Sequence, residues 1–206
     1  VPQNTGLEPT RRAALLDVLA RVARERKVLP TGDLATVQTL LDQPEPSLRA
    51  AAVRAIGAWK VESLRPRLLE LAGGVSTSDE ARASALDALI QLGGDESRKR
   101  VEELSKQGSS PRIQAQALAA LVAIDPQAAA RAFVSWLGDL KPEALGECQV
   151  VIDRFLERKD GPTRLVEAFS GKTLRPDLAR QLLKGIRSSG RDVPDLVASL
   201  TKAGGL

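Results

Sequence analysis

One feature limits this chain more than any other: it repeats. The segment Arg49–Gly57 (RAAAVRAIG) returns 33 residues later as Arg82–Ile90 (RASALDALI). A third copy, Ala115–Val122 (AQALAALV), lies 32 residues beyond Ala83. Each copy sets small residues beside large apolar ones at helical spacing, one face of a 3.6-residue period. A fixed period near 32 residues is the mark of a stacked array, in which each unit buries its apolar face against its neighbours.

Each copy is followed by a second helical segment. Leu64–Leu71 (LRPRLLEL) and Arg98–Leu104 (RKRVEEL) are two of these, and Ala130–Leu137, Arg164–Phe169 and Asp195–Leu200 are the others. Looser copies of the first helix lie at Ala13–Val22, Glu147–Phe155 and Leu178–Ile186. The reading is six helix pairs at about 8–43, 46–73, 77–107, 110–138, 142–169 and 175–203, a single domain over 8–206 behind a linker at 1–7. Pro46, Pro111, Pro126, Pro142, Pro162, Pro176 and Pro194 stand where helices begin, because proline lacks the N–H that has no partner in a first turn. Ser110 and Asp125 are expected as N-caps, and Thr77–Glu80 as a capping box. Gly73-Gly74, Gly93-Gly94 and Gly190 are expected to end helices in the left-handed conformation. No run alternates with period two, so the fold class is all-α.

Composition removes whole classes of chemistry. There is no His, Tyr or Met, and one Cys, Cys148. Imidazole catalysis, His-ligated metals and haem, tyrosine nucleophiles and CxxC motifs are thereby excluded, and no cofactor is expected. The net charge of +4 lies wholly in residues 171–206, since 1–170 balance. That excess is small for a nucleic-acid binder, and aromatics are only 2% of the chain. No stretch approaches the roughly 20 apolar residues of a membrane helix. The opening Val1–Gly6 reads as linker, which suggests a piece of a longer protein; the compartment, cytosolic or exported, is left open.

Leu48–Gly74 (LRAAAVRAIGAWKVESLRPRLLELAGG) and Glu80–Leu104 (EARASALDALIQLGGDESRKRVEEL) resemble HEAT repeats, particularly the bacterial HEAT-like type seen also in phycobilisome lyases. The resemblance extends over about 46–138; beyond it, Gly146, Gln149 and Gly185 stand where Ala or Leu is expected. It implies a right-handed α-α superhelix, an armadillo-like α-solenoid whose second helices line a concave face. It also implies a scaffold that holds another protein or a neighbouring domain. The Ala/Leu/Arg-rich pattern is similar to the HEAT segment of large exported bacterial proteins with a sugar-dehydrogenase-like propeller and a c-type haem domain. A nucleic-acid-binding module like the HEAT-like DNA glycosylases is a further alternative. A phycobilisome-lyase-like enzyme acting on a bilin is disfavoured by the scarcity of aromatics.

Two groups of residues are candidate sites. Arg65, Arg98, Arg131 and Arg164 recur at intervals of 33, early in four successive second helices. They would form a basic concave stripe for carboxylates or phosphates, or else a ladder bonding adjacent repeats. Arg180, Lys184, Arg187 and Arg191 follow i, i+4, i+7, i+11 and would share one face, meeting an acidic partner or complementing a helix dipole. Trp59 and Trp136 are readable as exposed anchors or as packing between repeats, and Cys148 as a buried structural thiol. No catalytic or metal-binding set is identified. The expected function is a non-catalytic interaction or spacer module.

Overall fold

The computed structural model describes residues 6–206, so the first five positions of the expected linker lie outside the described residues. Eleven α-helices and three short 3-10 helices make up the regular structure, with no strand among the described residues. The chain divides into two compact units, 1–100 and 101–206, where the repeat pattern alone suggests one continuous domain.

In the first unit, α1 (Pro9–Arg26), α2 (Pro46–Ala58) and α4 (Asp79–Leu92) form one layer, with α2 packed on both. The 3-10 helices Leu34–Leu40 and Glu62–Leu64 and helix α3 (Arg65–Gly73) supply the second elements of the hairpins. The small residues decide how closely the first layer packs. Ala50, Ala51, Ala52 and Ala55 on α2 and Ala85 and Ala88 on α4 are fully buried. At Gly57 a Cβ would lie 2.6 Å from the Ala88 Cα, so the two backbones touch there.

The boundary between the units falls inside α5 (Gly94–Gln107). In the second unit the pairing is more regular. First helices α6 (Pro111–Ile124), α8 (Cys148–Leu156) and α10 (Pro176–Ser188) stack in one layer. Second helices α7 (Pro126–Asp139), α9 (Gly161–Phe169) and α11 (Pro194–Ala203) stack in the other. This unit holds four of the five aromatics. Phe133 packs on Trp136 and Phe155 with ring centroids 6.0 and 6.4 Å apart, and Phe169 is also buried. The departures Gln149 and Gly185 meet each other: the bare glycine on α10 leaves room for the Gln149 side chain on α8.

Prolines occupy the first turn at all seven expected starts. The Ser110 hydroxyl accepts from the Ile113 N–H and the Asp125 carboxylate from the Ala128 N–H, closing both helix starts as N-caps. The capping box at Thr77 and Glu80 does not form. Ser78 is the N-cap instead, one residue later, accepting from Ala81. Gly93 and Gly94 take positive φ (73° and 80°), whereas Gly74 is extended at φ −68°, so α3 ends without a left-handed cap.

Candidate functional site

The four arginines of the 33-residue series are divided between the units and do different things. Arg65, the first residue of α3, is largely buried. Its guanidinium donates to the Gly93 carbonyl (2.8 Å), to the Ser97 hydroxyl and to Glu62 (2.6 Å). It therefore ties one hairpin to the corner of the next. Arg98 is exposed on α5. Arg131 is exposed on α7, and Arg164 on α9 pairs locally with Glu167 at 3.1 Å. Arg65→Ala is expected to destabilise by about 1–3 kcal/mol, because it strips buried acceptors of their donor. Arg131→Ala is expected to stay within about 0.5 kcal/mol, as for an ordinary surface change. Thermal melts of the two variants make the comparison.

The polar side chains that recur with equivalent contacts lie on the first helices. Arg49 on α2 donates to the Gln43 and Pro44 carbonyls at 2.7 and 3.0 Å. Arg82 on α4, 3% exposed, donates to the Gly74 and Thr77 carbonyls, both at 2.8 Å, and to Asp79 at 3.0 Å. On α6 the Gln114 amide donates to the Lys106 carbonyl at 3.1 Å, and its oxygen accepts from the Trp136 indole at 3.0 Å. Each clamps the backbone ahead of its own helix, a loop for Arg49 and Arg82 and the last turn of α5 for Gln114. A further arginine, Arg54 on α2, forks onto Asp17 of α1 at 2.8 and 2.9 Å and reaches Ser84 and Glu80 of α4 at 3.3 and 3.6 Å. The Asp17 carboxylate raises the Arg54 pKa further, against the opposing pull of burial. Arg54 thus joins three consecutive first helices.

Within residues 34–122 the chain matches the family model for HEAT repeats. That segment carries HEAT repeats. No curated protein and no solved structure matches it. HEAT repeats generally serve as protein-interaction scaffolds, and no helix among the described residues is long and apolar enough to cross a membrane.

The HEAT periodicity also places two grooves. One, of about 410 Å³, is lined by Leu41, Arg49, Arg67, Glu70, Leu71 and Val75. The other, of about 750 Å³, is lined by Lys106, Gln114, Ala132, Ser135, Trp136 and Leu140. Each residue of the second set stands 65 positions after its counterpart in the first, two repeats on. The grooves are the same architectural notch, between the end of a second helix and the start of a first.

Of the C-terminal cations, Arg180, Lys184 and Arg187 lie along the exposed side of α10. The helix stops at Ser188, so Arg191 stands in the following connection, after Gly190 at φ 66°, and not on the helical face. The three helical cations border a groove floored by Leu183 and Thr201. Among the described residues no acidic side chain forms an ion pair with any of them. Trp59 and Trp136 are buried, 3% and 8% exposed, so they pack inside the hairpins. Cys148 is buried, and burial pushes its thiol up to about 12, leaving it neutral and unreactive at physiological pH.

Proposed function

We propose that this HEAT-repeat chain is a non-catalytic interaction module whose docking surface is the cationic side of α10, and that it holds an acidic protein segment. One observation carries the reading: Arg180, Lys184 and Arg187 form an exposed row beside a groove floored by Leu183 and Thr201, while Arg65 is committed to bonds inside the fold. Along a helix, i, i+4, i+7 places the charges within about 10 Å, the reach of two turns of an acidic helix. Guanidinium groups favour carboxylates through paired hydrogen bonds. A nucleic-acid reading is weaker because no aromatic side chain borders the row for bases to stack on. The lack of His and Tyr, with Cys148 buried, supports a role without chemistry of its own.

The test is a titration, followed by fluorescence anisotropy, with a labelled glutamate-rich peptide lacking apolar residues and with a DNA duplex of equal charge. The peptide is expected to bind more tightly than the duplex and to weaken with salt. Arg180→Glu/Lys184→Glu/Arg187→Glu is expected to reduce peptide binding by at least about tenfold. An unaffected triple variant, or a duplex that binds better, would overturn the proposal.

A further inference from the structure

Helix α1 has two apolar faces, and the fold uses one. Ala13, Leu16, Ala20 and Ala23 are buried where α1 packs on α2. Leu15, Val18 and Val22 follow i, i+3, i+7 on a face turned by roughly 140° from the first, at 100° per residue. Leu15 and Val18 are 46% and 44% exposed, and Val22 is half-buried. By comparison α2, the next helix of the layer, is packed on both sides by α1 and α4. A single exposed leucine would call for no explanation, but an ordered stripe on a helix already anchored from behind is the pattern of a helix-binding face.

Charge names the occupant. Arg11 stands one turn before Leu15 and Arg26 one turn after Val22, in line with the stripe, and Arg21 flanks it; all three are exposed. The helix carries five arginines against Asp17 and Glu25, and Asp17 is already held by Arg54. A second copy of this chain is a poor fit. Pairing α1 with α1 would set arginine against arginine, and pairing it with the exposed side of α10 would set it against Arg180, Lys184 and Arg187. A membrane surface fits less well than a helix, because the stripe is one side chain wide and three long and has no aromatic anchor. From this we infer that the outer face of α1 seats an amphipathic helix of a partner protein, its apolar stripe edged by Asp or Glu. This surface is separate from the α10 row and does not rest on it.

The experiment uses the full chain and a labelled synthetic 18-residue helical peptide with leucines at i, i+3, i+7 flanked by glutamates. Two control peptides carry lysine flanks or serines in place of the leucines. Vesicles containing phosphatidylserine and sedimentation of the chain alone complete the set. The glutamate-flanked peptide is expected to bind, and each control to bind at least about tenfold more weakly. Leu15→Asp/Val18→Asp and Arg11→Glu/Arg26→Glu should each abolish the difference. Both pairs alter exposed positions, and a circular-dichroism melt verifies that folding is retained. The triple variant of α10 should bind this peptide as the unaltered chain does, which separates the two proposals. The inference is overturned by equal binding of the lysine-flanked peptide, no binding of the glutamate-flanked one, preference for the vesicles, or self-association through α1.

Discussion

Phe133→Ala is expected to be the most damaging single change in the second unit, at about 3–5 kcal/mol. Phe133 is completely buried on α7, and its ring contacts both Trp136 on the same helix and Phe155 on α8. Truncation removes the transfer energy of the ring, leaves a cavity and dissolves two aromatic contacts, each worth about 0.5–1.5 kcal/mol beyond area alone. The expected result is a melting temperature lowered by on the order of ten degrees. Hydrogen exchange should show its largest loss of protection within 101–206. Phe133→Leu, which keeps most of the volume, should cost less than half as much; equal losses from the two variants would show that the ring's shape and contacts, and not its volume, carry the effect.

Arg82→Ala is the second large effect, expected at about 2–4 kcal/mol. Its guanidinium is 3% exposed and bonds two loop carbonyls together with Asp79. Removing it takes the side-chain donor from the Thr77 carbonyl, leaves the Gly74 carbonyl only the Thr77 N–H, and loosens the loop between α3 and α4. The partly exposed Asp79 regains water, which keeps the cost below that of a fully buried broken pair. Arg67→Ala is the matched control. Its pairs with Glu70 and Asp42 are exposed, so its loss is expected to remain under about 1 kcal/mol. Denaturant melts of the two variants, compared at equal m-value, measure the difference.

The repeating helices were legible from the sequence because the signal is redundant. Spacing of Ala and Leu, proline at helix starts and polar caps at Ser110 and Asp125 all point the same way, and the described elements carry them. The roles of the arginines were less legible. An interval of 33 draws the eye to Arg65, Arg98, Arg131 and Arg164, yet equal spacing says nothing about what a guanidinium meets. Arg65 meets a carbonyl and a hydroxyl of the next hairpin, whereas Arg131 faces solvent. The first-helix clamps were missed although Arg49 and Arg82 open the quoted copies, because Gln114 breaks the residue type while keeping the contact. The signal available was position: a side chain with long-armed donors in the first turn after a loop, at the same offset each time. The α10 row was visible as a period, but its end was not. The sequence pattern carries cations through Arg191, whereas the backbone leaves the helix before Gly190.

The touching backbones of α2 and α4 carry a mechanical consequence. At Gly57 only the Cα, Cβ and carbonyl oxygen of Ala88 face the α2 backbone, with no longer side chain between the helices to be compressed, so that point would act as a pivot and not as a cushion. Flexing of the first unit would then be taken up on its opposite layer, where two of the hairpins use short 3-10 segments, Leu34–Leu40 and Glu62–Leu64, with poorer hydrogen-bond geometry than an α-helix. Compliance in this unit is set by which layer lacks contact between main chains, and a bulkier residue at position 57 would stiffen or jam the joint before it altered any surface a partner sees.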